Sequence, residues 1–389
     1  MRILFFTLVQ MTSINDRGIY ADMVKEFIKK GHHIDYFFPL SKPFKKNGEN
    51  YSLNSIIINQ KIQKTNNFIL KYLSYKKIEK YLSKTILNLK DHYDLLIIAT
   101  PSIFQSNIVK AFKYKFQKSK VLLLLKDIFP DNALDLNIIK KYFPYTIIYK
   151  YFRKIENNLY KNVDNIGLMT RLNQQYFISR NKEFSNKQFI SPNSIEFYDI
   201  PKIYNRSQLS LPEDKIIVTF IGNIGLPQSP NKIYELINNS PKDVYFVLIG
   251  NGTMDSLFKS LSSEKLLFIN ELLPQEKVDQ YLINSNLGLV VLNSKFNVPN
   301  FPSKILSYLN AKLPILAITN EFNDLKDLIK KNHLSGIWLN SNITINSSIY
   351  SNILNEYKKI KKNDTIISDY LVKNQISNLI KNVFWGKKT

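Results

Sequence analysis

Apolar residues along this chain come in short dense runs, separated by stretches in which they recur every third or fourth position. The runs read as buried strands and the spaced stretches as amphipathic helices. Residues 2–9 form the first run. A polar loop then ends in Asp16-Arg17-Gly18, and residues 19–30 carry apolar side chains at helical spacing, Ile19, Met23, Phe27 and Ala21, Val24, Ile28. Gly31 stands where a helix closes on a left-handed residue, and residues 34–38 are the next strand. Strand, loop, helix, glycine and strand make the opening of a doubly wound α/β domain. Further strands are predicted over 55–58, 94–100, 121–125 and 166–170. Helices are predicted over 71–89, over 106–118 and, after Pro144, over much of 140–162.

The alternation stops at 199–213, which carries Pro201 and Pro212 without periodicity and reads as a linker. It restarts with strands over 216–222, 244–249, 267–269, 287–292 and 314–318, and with helices from near Asn231, after Gln275 and near Ser303. The predicted fold class is α/β, with two tandem Rossmann-like domains, 1–198 and 214–368. A last amphipathic helix, 369–385, is expected to pack back on the first domain.

Ligands of open α/β sheets bind beyond the carboxyl ends of the strands. Gly222-x-x-Gly225 and Gly250-x-Gly252 follow two such ends, and small residues there let backbone N–H groups reach a phosphate. Neither loop fits the dinucleotide fingerprint or the P-loop. In 296–318 a proline-containing loop leads to Pro302-Ser303-Lys304, a hydroxyl and a cation at a helix start with unpaired N–H groups. Gly18 would let a sugar or phosphate approach the backbone. Asp127 stands just past the strand 121–125. It either serves a ligand or caps the next helix, and Asp131 competes for the cap.

Charge narrows the choice of partner. The 389 residues hold 54 Lys and Arg against 31 Asp and Glu, a net +23. Residues 1–200 hold 32 and 16 of these, or +16, which leaves 22 and 15, or +7. A basic first half favours an acidic surface or a phosphorylated ligand, and no nucleic-acid recognition motif is present. The stretch 140–162 mixes Lys and Arg with Tyr, Phe and Ile. It either lies on an anionic membrane surface or packs on the sheet with its lysines in solvent. No apolar run reaches the roughly 18 residues of a membrane span. The short apolar start reads as a strand rather than a secretory signal, because only Arg2 precedes it and no small-residue cleavage site follows. There is no cysteine, which excludes disulfides and thiolate chemistry, and the four histidines are scattered. The expected compartment is the cytoplasm, and no metal site is expected.

Seven blocks, in order, carry a family resemblance: DRGIYADMVKEFIKKGHHI, KDIFPD, RKIENNLYKNVDNIGLMT with ISPNSIE, FIGNIGLPQSPNKI, VLIGNGTMDSLF, INELLPQEKVDQYLINSNLGLVVL, and PSKILSYLNAKLPILA. Together they resemble the two-domain GT-B glycosyltransferases, specifically the large retaining family four. KDIFPD resembles a motif of the bacterial branch that builds O-antigen and capsule, which includes N-acetylfucosamine transferases. The resemblance implies a cleft with the nucleotide sugar on the second domain and the acceptor on the first. It implies a UDP-linked donor held by Gly18, Gly222, Asn223, Gly225, Gln228, Gly250, Leu273, Pro302, Ser303 and Lys304. Asp127 would be the catalytic residue, with no metal and no other cofactor. The implied acceptor is a saccharide on polyprenyl diphosphate at the inner face of the plasma membrane, used in surface-polysaccharide synthesis. The chain departs from the family pattern twice. Asn223 and Gln228 stand where an Arg and a Lys often bind the diphosphate, and Pro299 and Ser307 stand where two glutamates are common. These departures favour one alternative, a non-catalytic GT-B subunit. A nucleotide-sugar epimerase, the other, needs acid/base carboxylates and histidines in the cleft, and this chain is poor in histidine.

Overall fold

The computed structural model describes residues 1–9, 11, 13–39, 53–58, 68–100, 103–363 and 367–386. The polar stretch expected over 41–66, apart from its strand, and the Lys387-Lys388 tail lie outside the described residues. Two compact units divide the chain, residues 1–196 with 369–389, and residues 197–368.

The first unit is built on seven parallel strands: β1 (Arg2–Phe6), β2 (His33–Pro39), β3 (Leu53–Ile58), β4 (Leu95–Ala99), β5 (Lys120–Leu125), β6 (Asn165–Leu168) and β7 (Gln188–Ile190). Their order is β3-β2-β1-β4-β5-β6-β7. All pairings are parallel. Helices cover such a sheet on both faces, which is why β4 and β5 read as unbroken apolar runs and are buried almost throughout. The helices are α1 (Ile19–Lys29), α2 (Phe68–Asn88), α3 (Ser106–Lys115), α4 (Asp131–Asp135), α5 (Tyr145–Asn162) and α6 (Arg171–Arg180). α1 turns Tyr20, Ala21, Met23, Val24 and Phe27 inward and closes through amides of Gly31 and His32 on the carbonyls of Ile28 and Phe27.

The second unit repeats the plan with β8 (Ile216–Ile221), β9 (Val244–Ile249), β10 (Leu266–Ile269), β11 (Leu287–Val291), β12 (Ile315–Thr319) and β13 (Gly336–Asn340). They run parallel in the order β10-β9-β8-β11-β12-β13. The helices are α7 (Pro230–Asn238), α8 (Gln275–Ile283), α9 (Lys304–Asn310), α10 (Asp324–Lys330) and α11 (Ser347–Tyr357). The edge strand β13 escapes the sequence reading because it is short and mostly half-buried, without a dense apolar run. After α11 the chain returns to the first unit. There α12 (Val372–Ile380) places Val372, Ile376 and Leu379 in one core with α1 and β1. No described helix is long and apolar enough to cross a membrane.

The stretch 199–213 is not a free linker; it folds onto the second unit. Arg206 donates to the carbonyls of Glu213, Lys215 and Asn284 and to the side chain of Asn286. The Tyr198 amide bonds Asn310, and the Ile203 amide bonds Gln280. These hydrogen bonds hold a stretch whose proline content and lack of period had read as a linker.

Each strand order reverses once, between β1 and β4 in the first unit and between β8 and β11 in the second. At such a switch point adjacent loops part in opposite directions and leave a crevice at the carboxyl ends.

Candidate functional site

In the second unit the two halves of the predicted donor site converge on this switch point. The loop after β8 carries Gly222, Asn223, Gly225 and Gln228, and the loop after β11 leads into α9, whose first residue is Lys304. One register decision places that lysine. Lys304 and Tyr308 are four residues apart, so they share a helix face. Tyr308 is fully buried; its hydroxyl donates 2.9 Å to the Leu289 carbonyl and accepts from the Ile221 amide at 3.3 Å. Its ring fills the space beside Gly288, where a Cβ would collide with it. With that anchor set, Lys304 lies one turn earlier, over the end of β8. Its ammonium sits 3.4 Å from the centroid of the Phe220 ring and donates 3.0 Å to Gln228 Oε1. A Cβ on Gly222 would stand 3.8 Å from it. Burial of the ammonium lowers the Lys304 pKa well below the ordinary lysine value. A cation in this place gains from an anion that replaces the lost hydration.

Other expectations for this site change. α9 has seven residues, and Ser303 is exposed at its N-cap without a side-chain cap bond. The predicted cradle of helix N–H groups is therefore too short a helix to carry the site, which rests on the Lys304 side chain instead. Pro302 is buried and accepts the Ile305 amide, a structural duty. Gly250 and Gly252 were read as openings for a ligand. Their Cβ atoms would run into the carbonyl oxygens of Gly222 and Ile224. They are small so that the loop after β9 can lie against the loop after β8. The Ile224 amide bonds the Asn251 carbonyl, and the Met254 amide bonds the Ile224 carbonyl. Asn223 is exposed and packs its amide beside Gly225. Leu273 is half-buried in the loop after β10, two strands from β8.

In the first unit Asp127 follows β5. Its amide and that of Lys126 both donate to Thr100 Oγ1, at 3.0 and 2.8 Å. Thr100, just past β4, fixes the backbone that presents Asp127; sequence reasoning missed it, since a lone threonine after a strand carries no pattern. The contest with Asp131 is decided by partners. Asp131 is buried and receives hydrogen bonds from Tyr149, Tyr176 and Arg180 at 2.6, 3.0 and 3.2 Å, so it is committed to holding α4, α5 and α6 together. Among the described residues no hydrogen bond or ion pair reaches the Asp127 carboxylate, and burial raises its pKa. It lies near the start of α1, where its charge adds to burial in raising the Tyr20 phenol. Gly18 opens that helix at φ 124° with free space where a Cβ would be. Beside Asp127, the buried Lys126 ammonium donates 2.9 Å to the Ser191 carbonyl, and burial pushes its pKa down to about 7. Among the described residues, no three His, Cys, Asp or Glu side chains are placed to hold a metal ion.

Similar folds recur in solved structures over nearly the full chain. Sucrose-phosphate synthase from Thermosynechococcus elongatus matches with a TM-score of 0.67 at 12% identity, covering 99% of this chain and 95% of its own. The trehalose-6-phosphate synthase OtsA matches with 0.68 at 11% identity, over 98% of both chains. Anabaena HepE in complex with UDP-glucose matches with 0.61 at 12% identity, over 98% of this chain and 95% of its own. The fold is GT-B. No family model matches the sequence, and no curated protein matches it. At these identities the GT-B likeness concerns the backbone, and the side chains at each switch point must be read on their own chemistry.

Proposed function

We propose that this chain is a retaining glycosyltransferase that moves a sugar from a UDP-linked donor to a saccharide carried on a lipid diphosphate. The observation that carries the reading is the Lys304 cluster. A dehydrated ammonium, a glycine at the strand end and a side-chain amide meet at the switch point of the second unit. That is the equipment for a diphosphate. Its charge would restore the lysine's protonated state, and the stabilised leaving group is the main electrostatic demand of the reaction. HepE, with the same backbone plan, has been solved with UDP-glucose, which supports uridine as the base. Asp127, whose carboxyl pKa is raised by burial and which no partner reaches among the described residues, serves as the orienting or proton-accepting group. The donor diphosphate departs as the acceptor hydroxyl attacks on the same face, and Lys304 meets the charge without a metal. The basic first unit suits a phosphorylated, lipid-borne acceptor and work at an anionic membrane surface on the cytoplasmic side, as in O-antigen or capsule assembly.

One feature favours a second reading, a GT-B subunit that binds sugar without turnover: Asn223 and Gln228 hold the places where the resembled family often has cations. A single panel separates the two. UDP and a set of UDP-sugars are screened for thermal stabilisation, then for UDP release with and without lipid-linked acceptor. The transferase reading expects stabilisation, acceptor-dependent release, and at least a tenfold loss of UDP affinity in Lys304→Met. Binding without release under every acceptor supports the subunit. No stabilisation by any uridine nucleotide refutes both.

A further inference from the structure

The stretch 140–162 divides in the structure. Its second half is core: Phe152, Glu156, Leu159 and Tyr160 are buried. Its first half is not. Phe143 is 75% exposed, Tyr142 and Ile147 58% each, and Ile138 54%, with Ile148 and Tyr151 also exposed. Ile147, Ile148, Tyr151 and Lys154 follow helical spacing along one stripe of α5, and 138–144 forms the loop that precedes it. Large apolar side chains clustered this way on an outer surface mark a docking site.

Charge says what docks. Lys140, Lys141, Lys150 and Lys154 are all exposed around these side chains, and residues 137–155 contain no Asp or Glu. The Lys140 ammonium lies 5.5 and 5.6 Å from the Tyr142 and Tyr145 ring centroids, so cation and rings face the same way. The nearest following acid, Glu156, is buried and paired with Arg153. α2 extends the face: Leu70 and Leu73 are exposed at its start, and Tyr72 and Tyr151 join the two helices through a 2.9 Å hydroxyl contact. Beneath it Phe104 meets Tyr72 and Phe152 edge to face and stacks on Tyr75.

We propose that the face formed by residues 138–151 and the start of α2 is a monotopic docking surface for anionic lipid bilayers, with Phe143 as its tip. Aromatic and aliphatic side chains enter the headgroup boundary while the surrounding lysines meet lipid phosphates. The proposal rests on the reading of a lipid-borne acceptor for its purpose; the face itself does not depend on it. All the side chains named for the surface belong to the first unit.

The test is co-sedimentation of the full chain with phosphatidylcholine vesicles and with vesicles of phosphatidylcholine and phosphatidylglycerol. Parent protein is expected on the mixed vesicles and to be weakened by salt. Lys140→Gln/Lys150→Gln should lower partitioning about 25-fold at low salt, roughly fivefold for each cation. Phe143→Ser/Ile147→Ser should lower it at least tenfold at every salt concentration. All four positions are exposed, so the variants keep the parent's melting temperature. Equal binding to neutral vesicles, or binding that neither double variant reduces, overturns the proposal. So does self-association, by sedimentation velocity, that Phe143→Ser abolishes, because the face then belongs to a second copy. UDP stabilisation is measured on the same proteins. Vesicle binding without UDP binding would leave the docking surface standing and remove the transferase reading; UDP binding without vesicle binding would do the reverse.

Discussion

Asp127 and Lys304 are ionisable groups in surroundings that disfavour charge, and the direction of each shift gives a pH test. For Asp127 the folded carboxyl has a raised pKa, so its contribution to stability is lost as pH rises through that value. Asp127→Asn escapes the loss. The variant should melt higher than the parent at pH 8, with the difference shrinking toward pH 4. Its turnover should fall by roughly 10²–10⁴. A full-rate Asp127→Asn with an unchanged melting profile would remove Asp127 from the site. For Lys304 the sign is opposite. The folded lysine has a lowered pKa, and a bound diphosphate raises it again. UDP binding should therefore take up a proton between those two values, and affinity should fall as pH rises from the lower value to the higher and level off above it. Calorimetry in two buffers of different ionisation enthalpy reads this directly, and Lys304→Met should abolish the uptake. Both residues were legible in the sequence as a charge at a strand end. Their desolvation was not, because burial depends on groups distant in the chain, such as Phe220 beside Lys304.

At the scale of elements, the donor site depends on how two loops and a helix pack. Gly250 and Gly252 bring the loop after β9 against the backbone of the loop after β8, and Tyr308 against Gly288 seats α9 on β11. Glycine at 18 is a different case, with open space for a Cβ but a backbone conformation that side chains avoid. Gly18→Ala should thus cost roughly 1–3 kcal/mol of strain. Gly250→Ala should cost more and also weaken UDP stabilisation, since the Gly222 loop must shift. Comparing the two melting temperatures with and without UDP checks this; equal melting and equal UDP response would contradict the loop contact. Sequence pattern marks a glycine after a strand but not its reason, since a ligand and a neighbouring backbone demand the same missing side chain.

For the whole molecule, the chain's return is the least local feature. Val372, Ile376, Leu379 and Val383 complete the core of the first unit with Phe5, Val24 and Phe27. Four buried apolar side chains at about 1.5–3 kcal/mol each come to roughly 6–12 kcal/mol, comparable with the whole stability of a domain. Deleting residues 369–389 should unfold the first unit and leave the second, with its own core, protected. Limited proteolysis should then yield a fragment close to 197–368; a truncated chain that resists cleavage throughout would refute this. The sequence by itself determined the α/β class, the two tandem units, most strands and the positions of Lys304, Asp127 and the glycine loops. Each of these follows from local periodicity and from chemistry at strand ends. Only the tertiary structure decided that 199–213 is anchored on the second unit, and that Asp131 is held by three partners while, among the described residues, none reaches the Asp127 carboxylate. It alone showed that Gly250 serves a loop contact and that half of 140–162 is surface. Those outcomes turn on which groups meet across dozens of residues, and an amphipathic pattern is the same whether its partner is the protein's core or a surface outside it.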